Sequence, residues 1–132
     1  MYADCLYTDA KGRIWVGTGG SGLNLYDEAT DTFLPVHAKW NLPGDAVVSI
    51  RSDKEGDLWL GTNAGLIKLA LSDNLESATF RLYTTVDGLQ DNIFIRSAQA
   101  VAADGEMFFG GHRGYNSFYP ENQQEQPFSS SV

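Results

Sequence analysis

Three stretches of this chain repeat one arrangement of polar and apolar positions: a polar turn, a short apolar run around an aromatic residue, a glycine-bounded turn, and a second apolar run. Residues 52–69 read S-D-K-E-G-D-L-W-L-G-T-N-A-G-L-I-K-L, and residues 8–25 read T-D-A-K-G-R-I-W-V-G-T-G-G-S-G-L-N-L. A third copy over 103–118, A-D-G-E-M-F-F-G-G-H-R-G-Y-N-S-F, carries Phe108 at the tryptophan position. Trp15 and Trp59 lie 44 residues apart, and Trp59 and Phe108 lie 49 apart. A period of about 40 to 50 residues with one aromatic per unit indicates propeller blades or another repeat array.

Each unit divides into strands. Asp-x-x-Gly (Asp9 to Gly12, Asp53 to Gly56) offers a carboxylate that can bond its own backbone and a glycine that accepts positive φ, which suits a tight hairpin. The runs Arg13-Ile14-Trp15-Val16 and Asp57-Leu58-Trp59-Leu60 are short and aromatic, as strands covered on both faces should be. The glycines that follow (Gly17 and Gly22, Gly61 and Gly65, Gly110 and Gly114) are expected to make the next turn, and 23–26 or 66–69 to return from it. Residues 33–36 and 80–83 then give an outer strand, where Pro35 is tolerated at an edge. Four short strands per unit is the plan of a propeller blade.

The expected fold is therefore all-β, with about three four-stranded antiparallel blades: one over 1–36, one over 45–85, and a last one over 92–120 that lacks an outer strand. Residues 121–132 are polar and aperiodic and read as a tail or linker. No stretch shows helical periodicity, and 69–78 reads as a blade-edge loop. The crossings between blades repeat as well, Leu42 matching Leu89 and Asp45 matching Asn92, each 47 residues on. Three blades fall short of the four to eight that close a propeller, so the expectation is a piece of a longer chain or an assembly with other blades.

At 132 residues, 42% hydrophobic and 12% aromatic, the chain can bury a core. Its net charge of −8, without a basic cluster, argues against nucleic acid and anionic membrane as direct partners. The single cysteine, Cys5, excludes an internal disulfide framework and any multi-cysteine metal site, and reads as filler in an inner strand. No apolar run approaches the 18 or so residues of a membrane span, so direct insertion is not expected.

D-K-E-G-D-L-W-L-G-T-N-A-G-L, followed by Gly88, Leu89 and Asn92 in the crossing, resembles the two-component regulator propeller repeat over about residues 4–120. The resemblance implies an extracytoplasmic, periplasmic sensor region of a hybrid histidine kinase or related bacterial signalling protein. It also implies a membrane-anchored parent with further blades, and an ending at 114–121 that precedes another domain. Three departures mark the third copy: Phe108 for Trp, Gly111 for Thr, and a first turn that reads one residue shorter.

Gly17 to Gly22 matches G-x-G-x-x-G, yet the other copies lack the pattern, and residues 23–26 continue as strand where a dinucleotide site needs a helix N-terminus. Residues 53–57 are acidic but lack the ligand spacing of a calcium loop. His37 and His112 sit in different units with no recurring nucleophile, so neither catalysis nor a metal or cofactor is expected. Trp15, Trp59 and Phe108 recur in mid-strand, and with Gly17, Gly61 and Gly110 they read as the structural repeat.

Strand parity puts the Gly-x-x-Gly turns and the crossings on one rim and the Asp-x-x-Gly hairpins on the other. The first rim collects Gly20, Ser21, Trp40, Asn41, Asn63, Gln90, Asp91, Asn92, His112 and Arg113. Trp40, Asn92, His112 and Arg113 are the candidate ligand contacts, since an aromatic, amides and a cation suit a carbohydrate or carboxylate ligand. The alternative is a non-catalytic interaction scaffold whose open blade edges pair with other subunits, a homo-oligomer among them.

Overall fold

The computed structural model of the chain describes residues 3–84, 94–101, 103, 105–111, 114–120 and 129–131. Twelve strands among them form three antiparallel sheets of four, each strand paired with its successor in the chain. The first sheet comprises β1 (Ala3–Thr8), β2 (Ile14–Thr18), β3 (Leu23–Asp27) and β4 (Thr32–Leu34). The second comprises β5 (Val47–Ser52), β6 (Leu58–Thr62), β7 (Gly65–Leu71) and β8 (Ala78–Tyr83). The third comprises β9 (Phe94–Val101), β10 (Met107–Gly111), β11 (Gly114–Phe118) and β12 (Ser129–Ser131). These are the blades that the repeat predicts; the loop expected over 69–78 is shorter, residues 72–77, because β7 continues to Leu71 and β8 begins at Ala78.

The blades stack face to face, and the aromatic repeat makes the contact. Trp15 is fully buried in a cluster with Ile50, Leu58, Leu60, Ile67 and Leu69 of the second blade. Trp59 is fully buried against Tyr83 of its own blade and against Met107 and Phe118 of the third. Period-two alternation explains the division of labour. Trp59 points one way into the third blade while its neighbours Leu58 and Leu60 point the other way into the first.

Four expectations need correction. Gly17, Gly61 and Gly110 lie inside β2, β6 and β10 and do not make the turns. At Gly17 the reason is steric: a β-carbon would stand 2.5 Å from the Val47 carbonyl oxygen of the next blade, so glycine there lets two blades approach. The first turn of the third copy is not shortened. Val101 pairs with Met107 as Thr8 pairs with Ile14 and Ser52 with Leu58, so the three hairpins enclose equal loops, and the difference is Ala102 in place of Asp9 or Asp53.

The polar tail supplies the strand that the third blade was expected to lack, because β12 pairs with Tyr115, Asn116 and Ser117 through backbone groups that need no apolar pattern. Finally, the first crossing holds one helical turn, α1 (Val36–Lys39), too short to show a period. Pro35 and Val36, expected in the outer strand, lie beyond β4: Pro35, which has no N–H to pair, is the residue before the helix (φ −79°, ψ 78°), and Val36 begins it.

Candidate functional site

On the hairpin rim the turn aspartates do more than close turns. Asp9 accepts from the backbone N–H groups of Lys11 (3.0 Å) and Arg13 (2.9 Å), and Asp53 from those of Glu55 (2.9 Å) and Asp57 (3.0 Å). The second oxygen of each then accepts the indole N–H six residues on, Trp15 to Asp9 and Trp59 to Asp53, both at 2.9 Å. A ring that lies between blades is thus fastened to the rim by its only polar atom. The sequence held a signal for this: Phe108, which has no N–H to donate, is preceded at the same offset by Ala102.

Burial opposes ionisation of Asp9, but hydrogen bonds from Trp15 and Arg13 and the Arg13 charge outweigh it and hold its carboxyl below the usual range. A depressed carboxyl contributes stability that is present above its unfolded value of about 4 and is lost as pH falls through the folded one. The melting temperature is therefore expected to fall between about pH 5 and pH 3 with a component that Asp9→Asn removes. An identical acid slope in the variant, measured by circular dichroism, would discount the Asp9 pairing.

The opposite rim is built around the first crossing, which is held at both ends. His37 is buried; its Nδ1 accepts the Leu23 N–H at 3.2 Å, and its Nε2 donates to the Gly44 carbonyl at 2.9 Å and the Pro43 carbonyl at 3.2 Å. Those partners specify the neutral ring with its proton on Nε2. Gly22, at φ +65°, makes room for the imidazole, which a β-carbon would meet at 2.4 Å. At the other end Asn63 accepts the Asp45 and Ala46 N–H groups at 3.1 and 3.2 Å and donates to the Asp45 carboxylate at 2.7 Å. Asn63 of the second blade thus caps this end of the crossing, with the Asp45 carboxylate as its return partner.

Trp40 does not stand on the rim as a ligand contact. It follows α1 directly, is 7% exposed, and packs its ring 6.2 Å from that of Trp15 in the core between the first two blades, where it offers a ligand no face. Asn92, His112 and Arg113 lie outside the described residues. Gly20, Ser21 and Asn41 do come together. With Asp45, the edge of the His37 ring and α1 they line a shallow depression of about 470 Å³. The sequence missed His37 as a wall of this depression because a lone histidine in a crossing carries no motif.

A second depression, about 260 Å³, lies on the hairpin rim between the turns of the first two blades, among Asp9, Lys11, Arg13, Asp53, Lys54 and Asp57. Burial and the neighbouring Asp53 carboxylate push Asp57 up. No group of three or more metal-ligating side chains occurs among the described residues. Burial likewise pushes the Cys5 thiol up to about 11, which disfavours the thiolate at neutral pH.

Three four-stranded fans in sequence order, the first two each leaning an aromatic ring on the next, are blades of a β-propeller. Residues 1–20 and 41–64 match the family described as two component regulator propeller, so the first two copies carry two-component regulator propeller repeats. The chain is similar to Histidine kinase P4 of Formosa agariphila, 32% identical over 105 residues that make up 79% of this chain. It spans 7% of the length of that relative. Among solved structures it is similar to the extracellular domain of a protein described as a one component system from B. thetaiotaomicron, at 13% identity and a TM-score of 0.47, covering 95% of this chain and 24% of that one. No helix among the described residues is long and apolar enough to cross a membrane.

Proposed function

We propose that this chain is a non-catalytic, ligand-sensing part of an extracytoplasmic propeller in a two-component signalling protein, and that it binds a small polar molecule or carbohydrate in the depression beside the first crossing. Its family supports the sensor reading. The observation that carries the ligand site is the position of the depression: Gly20 and Ser21 belong to the first blade, Asp45 abuts the second, and Asn41 sits between them on the crossing. A ligand held there touches both blades, and it can shift an equilibrium between two arrangements if it binds them unequally. With Trp40 in the core no indole serves as a stacking platform, so recognition rests on the Ser21 hydroxyl, the Asn41 amide and the Asp45 carboxylate. His37 acts as a wall, because both ring nitrogens are committed to backbone groups.

Calorimetric titration with a panel of mono- and oligosaccharides tests the reading. Binding is expected to weaken on the order of tenfold in Asn41→Ala, the loss of one or two ligand hydrogen bonds. A saccharide that binds Asn41→Ala and wild type equally would move the site elsewhere.

An interaction scaffold is the second reading, and one observation favours it. Phe33, Leu34 and Phe80, on the outer strands β4 and β8, are 44%, 43% and 40% exposed. Apolar side chains on unpaired strand edges are a template for another chain.

A further inference from the structure

The depression beside the first crossing has one charged wall and nothing of opposite sign. Asp45 is the one carboxylate that lines it, and no lysine or arginine is among its described lining residues. One Asp45 oxygen holds the Asn63 amide at 2.7 Å, which leaves the other as an acceptor at the exposed rim. His37 lends no charge, because its backbone partners require the neutral ring. The net charge of −8 on the chain adds to the same sign.

The backbone of Asn41 has a structural explanation that its side chain lacks. α1 closes in a Schellman arrangement: the Asn41 N–H donates to the Ala38 carbonyl at 3.2 Å and the Leu42 N–H to the His37 carbonyl at 3.0 Å, with Asn41 itself at φ +55°. Glycine meets that requirement at lower cost. What asparagine adds is an amide at the depression, exposed and bonded to no other group among the described residues, able to donate and accept at once. Beside it the Ser21 hydroxyl is held in place by Thr18 at 2.8 Å and Asn24 at 3.2 Å.

We infer that this depression takes a neutral sugar ring and rejects the acidic counterparts, uronic acids and sulfated sugars. That exclusion presupposes the carbohydrate site proposed above and sharpens it. A sugar hydroxyl donates to the free Asp45 oxygen or the Asn41 carbonyl and accepts from the Asn41 N–H groups, so every polar atom on the wall finds a partner. A carboxylate or sulfate has no proton to give. It could take only the Asn41 N–H groups, and it would stand beside Asp45 with no cation to offset the repulsion. Of the carbohydrate and carboxylate ligands that the rim residues suggest, only the first suits this place; Arg113, the cation that suggests the second, lies outside the described residues.

Calorimetric titration with matched sugars tests this, using glucose, galactose and mannose oligomers against glucuronate, galacturonate and mannuronate oligomers of equal length. Within each pair a hydroxymethyl group is exchanged for a carboxylate. The neutral member of at least one pair is expected to bind, and its acidic partner to bind on the order of tenfold more weakly at low salt. The gap should narrow as salt rises and the screening length shortens. Asp45→Asn keeps the oxygen that Asn63 bonds and removes the charge, so it is expected to close most of the gap. Asn41→Gly keeps the left-handed turn, so the melting temperature should hold while the neutral sugar loses about tenfold in affinity. An acidic sugar that binds as tightly as its neutral partner or more so, with Asn41→Gly weakening it, would overturn the charge rule and leave the site standing. A gap that Asp45→Asn leaves as wide would also overturn the rule. Binding by no sugar, or binding indifferent to Asn41→Gly, would remove the site and the rule together.

Discussion

Trp59→Ala is expected to lower the stability of the chain by about 3 to 5 kcal/mol, the range for removing a large aromatic from a packed core. The ring has no exposed surface, lies 4.7 Å from that of Phe118 and 5.8 Å from that of Tyr83, and its N–H is bonded to Asp53. Burying a tryptophan removes about 150 to 250 Å² from water, or about 4 to 6 kcal/mol gross at 25 cal/mol per Å², an upper bound. The substitution also deprives Asp53 of a partner and opens the junction with the third blade. At a urea dependence of about 1 to 3 kcal/mol per molar, the unfolding midpoint should drop by more than about 1 M. A midpoint within a few tenths of wild type would contradict the inter-blade role of this ring.

Gly17→Ala is the second large effect, expected at about 2 to 3 kcal/mol, the upper part of the range for overpacking. The new methyl would meet the Val47 carbonyl oxygen at 2.5 Å, the Cys5 sulfur at 2.5 Å and Val47 Cγ1 at 3.0 Å. Two of those atoms belong to β5, so relief requires β5 to retreat from β2 and takes the whole second blade with it. Gly20→Ala provides the control, because nothing lies within 4 Å of a β-carbon there. Thermal melts of the two variants side by side decide the matter, and equal melting temperatures would show that Gly17 marks a turn preference and no close approach.

The elements that sequence made plain were those written three times. The hairpin geometry of Gly12 and Gly56 (φ +81° and +90°), the mid-strand tryptophans and the in-order sheets all follow from local chemistry that each copy restates. What escaped were features that depend on contacts between copies or that occur once. Gly17 looked like a turn residue because its constraint, the Val47 carbonyl, lies 30 residues away. Ser129 to Ser131 looked like a tail because a strand that pairs through its backbone alone leaves no apolar pattern.

The candidate site was legible only as a rim. Counting strand directions was enough to place Gly20, Ser21, Asn41 and Asn63 on one side. It could not show that Trp40, one residue beyond a four-residue helix, turns inward to Trp15 and away from that side. Nor could the sequence reveal the anchoring by His37, because Leu23 and Gly44 become its partners only after the crossing has folded over the first blade.

The double fastening of that crossing has a mechanical consequence. Rotating the first blade against the second would strain the imidazole contacts at one anchor and the Asn63 amide contacts at the other in the same movement. Such a rotation has to break hydrogen bonds at both anchors, so the crossing opposes it, and Asn41 lies between the two points where that opposition acts.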